Sequence, residues 1–210
     1  IIDLKSRYVL PGFIDVHVHL AGEGRPNDSY PLQAFEAAAN AEKTLLAGFT
    51  TVRNLGDNTG TTEALKRAIA RGYVRGPRIL DAGQPIVPSY GIQVGRGADV
   101  LKIITTGLSS REIGPDRGAQ MTREEIAAVV GVARQFGLKV ASHTHGGLGL
   151  KLALEEGVSS IEHGTLMYRD QSDIALLKKS GAFYVPTLAT ITNYQDRLAD
   201  KNITPEERKV

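Results

Sequence analysis

Cysteine is absent from the 210 residues, and neither a long apolar run nor a long run of one charge occurs. Without cysteine, disulfide bonds and thiolate metal sites are excluded. No apolar stretch approaches the roughly 18 residues that suggest a membrane span. The 25 basic and 23 acidic residues give a formal charge of +2, which argues against binding to nucleic acid or to an anionic membrane. Residues 1–7 do not resemble a signal peptide, so the compartment stays open and the cytoplasm is favoured.

Histidine is also scarce, and its placement is informative. Each histidine lies near the C-terminal end of a segment that we predict to be a β-strand. This clustering is the main indication of a metal site, because imidazole is a common metal ligand in proteins. The five histidines are His17, His19, His143, His145 and His163.

The first of these strands is predicted at residues 13–20, after the turn signal Pro11-Gly12. Successive side chains of a strand point to opposite faces, so Asp15, His17 and His19 are expected on one face. Two imidazoles in this arrangement can bind one metal ion together. A His-x-His sequence alone is a weak signal, and structural histidines remain an equal alternative.

Strands and helices alternate along the chain, and glycines end most of the helices. Thr122-Arg-Glu-Glu125 is predicted to form a capping box. This order predicts parallel strands with helical crossovers, in an open doubly wound sheet or a closed (β/α)8 barrel. No glycine-rich phosphate loop follows any strand, and histidines at several strand ends suit an α/β barrel, which we favour. The predicted strands are 13–20, 49–53, 77–82, 99–106, 138–143, 159–163 and 182–188, and the predicted helices are 32–46, 62–70, 122–136, 148–156 and 173–179.

Two features are unlike a complete barrel. Residues 84–98 separate the third and fourth strands and show no helical pattern, although parallel neighbours usually need a helical crossover. Only seven strands are predicted, and Thr204-Pro-Glu-Glu207 resembles the start of a helix. We therefore expect a chain truncated at its C-terminus, with the eighth strand missing and an insertion lost near Gln93-Val94.

Lys102 lies in the middle of the apolar fourth strand, on the same face as Val100 and Ile104. A buried ammonium group without a partner is costly, so three interpretations stay open. Lys102 is a surface residue of an edge strand, a buried residue paired with Asp or Glu, or an amine that CO₂ has carboxylated. The carbamate of the third interpretation would be an oxygen ligand able to bridge two cations.

His143 and His145 repeat the alternation on the fifth strand, and His163 is expected on the face of Ile161 in the sixth. Taken singly, each is more typical of a structural histidine than of a ligand. His145 lies nearer the end of its strand, so we assign it to substrate binding. The other groups together predict a metal site made of His17, His19, Lys102, His143 and His163.

Four segments of the sequence resemble the amidohydrolase superfamily. They are Phe13-Ile-Asp-Val-His-Val-His19, the fourth strand around Lys102, Ser142-His-Thr-His-Gly146 and Ile161-Glu-His-Gly164. The resemblance covers nearly the whole chain. The 41-residue step from Lys102 to His143 and the 20-residue step to His163 are similar to those of its imidazolonepropionase-like and prolidase-like branch. That branch includes Xaa-Pro dipeptidases and ochratoxin-hydrolysing amidases.

The resemblance implies a (β/α)8 barrel with a small β-sandwich built from both chain ends. Residues 1–9 would be a remnant of the sandwich, and residues 10–210 the partial barrel. Carboxylated Lys102 would bridge two divalent metal ions, expected to be Zn²⁺. The more buried ion would be bound by His17 and His19, and the more exposed ion by His143 and His163. The catalytic Asp of the family ends strand eight, beyond the end of this chain, so the catalytic residue stays unknown.

The function that the resemblance implies is metal-assisted hydrolysis of an amide bond in a dipeptide or an N-acyl amino acid. The expected partners are a small-molecule substrate and further copies of the chain in a homo-oligomer, with neither nucleic acid nor membrane. One alternative is a cyclic-amide hydrolase similar to imidazolonepropionase or dihydropyrimidinase. The other is a non-catalytic scaffold or fragment of this fold. We expect the longer protein, rather than this truncated chain, to be the enzyme.

Overall fold

Helices and strands alternate in the computed structural model as the sequence predicts. The structure describes residues 5–6, 8–22, 28–57, 59–85, 97–107 and 118–188. A 3₁₀ turn, Met167–Arg169, lies between the sixth strand and the fifth helix. The strands are β1 (Phe13–Val18), β2 (Phe49–Asn54), β3 (Arg78–Asp81), β4 (Val100–Ile104), β5 (Lys139–Thr144), β6 (Ser160–His163) and β7 (Phe183–Val185). The helices are α1 (Tyr30–Leu46), α2 (Thr61–Ala70), α3 (Arg123–Gln135), α4 (Gly147–Glu156) and α5 (Gln171–Ser180).

Each predicted strand and helix is present, and most of their bounds agree within one or two residues. The capping box is confirmed, because the Thr122 hydroxyl accepts from the Glu125 backbone and the Glu125 carboxylate accepts from the Thr122 backbone. The largest difference is at β7, predicted to continue to residue 188. Pro186 has no backbone N–H to donate to a neighbouring strand, which explains why β7 ends before it.

The chain divides into two compact units, Ile1–Asp81 and Ala82–Val210. In the first unit, β1, β2 and β3 form a parallel sheet in sequence order. Apolar side chains of the sheet pack against α1 and α2, and their removal from water stabilises the unit. The buried members of this core include Ala37, Ala41, Val52, Leu65 and Ile79.

Strand β1 is irregular at the segment that carries His17. Its pairing with β2 shifts between Asp15 and Val18, where β1 has one residue more than its neighbour. Asp15 Oδ1 accepts a hydrogen bond of 3.0 Å from the backbone N of His17. The Asp15 carboxylate therefore binds the backbone of His17, and the common face of these two side chains stays a prediction.

In the second unit, β4, β5, β6 and β7 form a parallel sheet, also in sequence order. One face of this sheet is buried in an apolar core with α3 and α4. That core includes Leu101, Ile103, Val140, Leu150 and Ile161. Because side chains alternate along a strand, Lys102 of β4 and His143 of β5 lie on the opposite face.

Several predictions fall on residues outside the described ranges. Most of the predicted loop 84–98 and the end of the chain at 204–207 are among them. The division into residues 1–9 and 10–210 stays a prediction. Among the described helices, none has both the length and the apolar character that crossing a membrane requires.

Helix α4 lies close to the end of β4 at Gly149. A Cβ atom added to Gly149 would lie 2.3 Å from the carbonyl oxygen of Thr105. Gly131 in α3 has no atom within 4 Å of the corresponding position. The sequence therefore needs glycine at position 149 for packing, whereas position 131 has room for a methyl group.

We expect Gly149→Ala to lower the free energy of unfolding by about 1–3 kcal/mol, the usual effect of overpacking. Gly131→Ala is the matched control and should raise the free energy of unfolding by roughly 0.5–1 kcal/mol, because Ala favours a helix over Gly. Denaturant unfolding of both variants measures the difference. Equal stability of the two variants would contradict the close contact at Gly149.

Candidate functional site

The structure places all five histidines at the C-terminal ends of strands, as predicted. His17 is the second-last residue of β1, and His19 is the first residue after the strand. His143 is in β5, His145 follows it, and His163 is the last residue of β6. The histidines therefore form two groups, one in each unit.

The pair in the first unit is close, with 5.3 Å between the ring centroids of His17 and His19. The Nδ1 atom of His19 lies 3.1 Å from the carbonyl oxygen of Gly56. A carbonyl oxygen only accepts hydrogen bonds, so Nδ1 of His19 carries the proton. In the neutral ring the unprotonated nitrogen is then Nε2, the form in which imidazole binds a metal.

The second unit brings three imidazoles together. The ring centroid of His143 lies 4.5 Å from that of His163 and 4.9 Å from that of His145, and the centroids of His145 and His163 are 5.6 Å apart. Three protonated rings at these distances would repel one another. The cluster is therefore built for neutral imidazoles.

Two of these rings have a defined tautomer. His143 Nε2 lies 3.2 Å from the carbonyl oxygen of Gly107, so Nε2 carries the proton and Nδ1 does not. His163 Nδ1 lies 2.8 Å from the hydroxyl of Thr187, which itself donates to the carbonyl of Pro186. That hydroxyl can only accept from His163, so the unprotonated nitrogen of His163 is Nε2. Metal-binding histidines typically have one ring nitrogen held by a hydrogen bond in this way, which leaves the other for the metal.

His163 joins this cluster for a reason that the sequence did not predict. A regular strand would place it on the face of Ile161, and Ile161 is fully buried in the apolar core. The backbone of His163 has φ of 69°, a left-handed conformation that is uncommon outside glycine. This conformation ends β6 and interrupts the alternation, so the expected common face of His163 and Ile161 is wrong.

Lys102 is 3% exposed, which excludes the surface interpretation of this residue. It pairs in register with Ala141, one pleat before the pairing of Ile104 with His143. Its positive charge contributes to the lowered pKa of His143. Lys102 is therefore a buried amine on the same sheet face as His143, consistent with either a paired or a carboxylated lysine.

Burial lowers the pKa of His143 from 6.5 to about 2, with further lowering by the charges of His163, Lys102 and His145. The hydrogen bond to Gly107 acts in the opposite direction and is outweighed. His143 is therefore neutral throughout the physiological pH range. A neutral imidazole is the form that can donate its lone pair to a metal ion.

His145, assigned to substrate binding, is held at three points. Its backbone N donates to the Thr106 hydroxyl at 3.1 Å, and its carbonyl accepts from the backbone N of Leu166 at 2.8 Å. Its ring Nδ1 lies 2.7 Å from the Thr165 hydroxyl. The side chain is consequently fixed in place beside His143 and His163, as a group that positions a ligand must be.

Among the residues that the structure describes, no three His, Asp or Glu side chains form a group that could hold a metal ion by themselves. The donor chemistry nevertheless fits a metal, since His143 is neutral and three imidazoles hydrogen-bond through one ring nitrogen and leave the other available. Lys102 would add an oxygen ligand if its amine were carboxylated.

The groups that orient these rings could not be found from the sequence. Two of them are backbone carbonyls, of Gly56 and Gly107, and every residue carries a carbonyl. Thr187 lies in a stretch that was predicted to be a strand. Asn54 is a fully buried polar residue at the end of β2, but the sequence gave no signal for it, because β2 also contains Thr50, Thr51 and Arg53.

Comparison with known proteins gives a match over nearly the whole chain. The model of a family described as "Amidohydrolase family" matches residues 8–209. An ochratoxinase from Aspergillus niger is 25% identical over 237 residues, which cover 87% of this chain and 48% of the relative. An imidazolonepropionase from Nocardia farcinica is 28% identical over 245 residues, which cover 98% of this chain and 59% of the relative.

Among solved structures, a Xaa-Pro dipeptidase with methionine bound in its active site is similar, with a TM-score of 0.81 and 32% identity. The match covers 95% of this chain and 59% of that one. The chain thus spans about half to three-fifths of the length of these relatives. The predicted family resemblance and the α/β fold of the partial (β/α)8 type are confirmed.

The lowered pKa of His143 predicts a pH dependence of stability for the metal-free chain. Below about 6.5, the unfolded imidazole takes up a proton that the folded one refuses until about pH 2. The free energy of unfolding should therefore fall as the pH is lowered, by at most about 1.4 kcal/mol per pH unit for one proton. Denaturant unfolding between pH 8 and 5 measures the slope, and His143→Gln should flatten it. The same slope in both proteins would contradict the burial of a neutral His143.

Proposed function

Since the chain belongs to the amidohydrolase family, we propose that the whole protein is a metal-dependent hydrolase that cleaves an amide bond in a dipeptide or an N-acyl amino acid. One observation carries this proposal: Lys102 is buried on the sheet face that also holds the neutral His143. A charged amine in such a position needs a partner or a modification. Carboxylation by CO₂ would remove the positive charge and create an anionic oxygen ligand.

The metal ligands that we propose are His17 and His19 for one divalent ion, His143 and His163 for the other, and carboxylated Lys102 for both. This division follows the family resemblance. It is supported by the ring tautomers, which present Nε2 of His19, Nδ1 of His143 and Nε2 of His163 in unprotonated form. Carboxylated Lys102 is the bridging ligand in this proposal.

Zinc is the metal that we propose, because nitrogen and oxygen ligands without thiolate suit Zn²⁺, although Mn²⁺, Co²⁺ and Fe²⁺ share this preference. When bound, such ions polarise a scissile carbonyl and make a water molecule more acidic. The residues of the chain would hold the metal ions and orient the substrate. His145, fixed by Thr106, Thr165 and Leu166, is proposed to position the substrate. No general base is assigned among the described residues.

The proposed substrate class rests on the relatives. Xaa-Pro dipeptidase, in its name, acts on dipeptides, and ochratoxinase acts on ochratoxin. The match to the dipeptidase has the higher identity of the two. We therefore place dipeptides first and N-acyl amino acids second.

A cyclic-amide hydrolase is the second candidate, because relatives named imidazolonepropionase and dihydroorotase also match most of the chain. A non-catalytic scaffold is less well supported. Four histidines at strand ends and a lysine buried in a strand fill all five proposed ligand positions, which favours an enzyme.

The metal proposal predicts that Lys102→Ala and His17→Ala each remove bound zinc. Lys102→Ala removes the proposed bridging ligand, and His17→Ala removes one of a pair, so each should bind less than half of the zinc of the unmodified protein. Lys139→Ala is the control, since Lys139 is an exposed lysine at the start of β5. Elemental analysis of the purified proteins gives the metal content. Full zinc content after Lys102→Ala would contradict the bridging role.

The substrate proposal is tested with the whole protein, loaded with zinc, on a panel of compounds. Xaa-Pro dipeptides and N-acyl amino acids represent the first candidate, and lactams and cyclic ureides represent the second. We expect kcat/KM to be highest for one of the linear amides. A protein that hydrolyses only cyclic amides would favour the second candidate, and a zinc-loaded protein inactive on the whole panel would favour the scaffold.

A further inference from the structure

Asn54, the last residue of β2, is fully buried and connects the ends of three strands in the first unit. Its Oδ1 accepts a hydrogen bond of 3.0 Å from the backbone N of Leu20, just after β1. Its Nδ2 donates to Asp81 Oδ1 at 2.9 Å, at the end of β3. A buried amide that uses both its donor and its acceptor fixes its neighbours far more strictly than an apolar side chain could.

The same amide lies beside the group that orients His19. Asn54 Nδ2 is 3.5 Å from the carbonyl oxygen of Gly56, and that oxygen accepts the Nδ1–H of His19. Asn54 thus contacts the backbone on the C-terminal side of His19 and also the carbonyl that sets its tautomer. Displacement of this carbonyl would leave His19 able to place its proton on either nitrogen.

Arg53, the neighbouring residue of β2, contacts β1 on the other side of the histidine pair. Its Nε donates to the carbonyl oxygen of Val16 at 2.6 Å, within the segment where the pairing of β1 and β2 is out of register. Val16 and Leu20 bracket His17 and His19. Two consecutive residues of β2 therefore hold β1 immediately before and immediately after the pair.

We propose that Asn54 is a positioning residue for the metal site: it fixes the backbone after His19 and the Nδ1–H tautomer of that ring, so that Nε2 is presented to a metal ion. The proposal rests on the proposed function in so far as His17 and His19 are metal ligands. Groups that orient a ligand in this indirect way typically change metal affinity by about 10–100-fold when they are removed.

Three variants of the full chain and one control test this role. Asn54→Leu keeps a similar volume and removes both hydrogen bonds. Asn54→Asp places two buried carboxylates next to each other, at positions 54 and 81. Adding Asp81→Asn exchanges the two side chains, so that position 81 donates and position 54 accepts. Val52→Ala is the control, because Val52 is fully buried in the same strand and belongs to the apolar core rather than to the hydrogen-bond network.

Two measurements are made on each protein. Competition with a chromophoric chelator gives the affinity for Zn²⁺, and ¹⁵N NMR of the imidazole nitrogens gives the tautomer of His19 in the metal-free state. For Asn54→Leu we expect a zinc affinity lower by about 10–100-fold and a mixture of His19 tautomers. The exchanged pair Asn54→Asp with Asp81→Asn keeps an acceptor for Leu20 and a hydrogen bond between positions 54 and 81, but has no donor for the Gly56 carbonyl. It should therefore recover part of the zinc affinity and leave the His19 tautomers mixed, whereas Asn54→Asp alone should recover neither. Val52→Ala should lower stability and leave both readouts unchanged.

The outcomes separate this inference from the proposed function. If the whole protein without substitutions binds no zinc, the proposed metal site is wrong, and the His19 tautomer alone then decides whether Asn54 positions the ring. If the unmodified chain binds zinc and Asn54→Leu keeps its affinity and the Nδ1–H tautomer, the positioning role is wrong. A loss of affinity in Val52→Ala as large as in Asn54→Leu would also overturn it, because general destabilisation would then explain both. Should Asn54→Leu fail to fold, failure of the exchanged pair to recover zinc affinity would overturn the inference.

Discussion

The burial of a lysine and a histidine on one face of a parallel sheet is the constraint on which the second unit depends. The opposite face of that sheet is apolar and covered by helices, with Leu101, Ile103 and Ile161 in its core. Side-chain alternation then forces Lys102 and His143 to the other face, out of water. The protein tolerates His143 there by keeping it neutral, as its pKa of about 2 indicates. A buried amine is accommodated by a partner, by loss of its proton or by chemical modification.

The histidines lie at strand ends, and the parallel arrangement of the strands brings them together within a unit. Parallel strands bring their C-terminal ends to one edge of a sheet, so residues distant in sequence meet there. In the second unit this brings His143 and His163 to 4.5 Å between ring centroids. Backbone carbonyls and a hydroxyl then fix which nitrogen of each ring holds the proton. The result is a set of imidazoles in which three have one ring nitrogen held by a hydrogen bond and one, His143, is kept neutral by burial.

The order of strands and helices could be predicted from the sequence because each depends on local signals. The capping box at Thr122 and Glu125 and the apolar periodicity are properties of a few neighbouring residues. The placement of His163 could not be predicted, because it depends on a left-handed backbone at His163 itself, and a histidine gives no signal of that conformation. The register shift in β1 could not be predicted either, since a one-residue shift in pairing depends on the partner strand. The contacts of Asn54 with Leu20 and Asp81 join residues far apart in the chain, and only the fold brings them together.

The chemical state of Lys102 decides whether the proposed metal centre can form. The whole protein, equilibrated with ¹³C-labelled bicarbonate and zinc, can be examined by ¹³C NMR for a carbamate carbon. We predict one carbamate signal, present in the protein that has Lys102 and absent after Lys102→Ala. A fully zinc-loaded protein without any carbamate signal would contradict the central claim and leave Lys102 as an ordinary buried, paired amine.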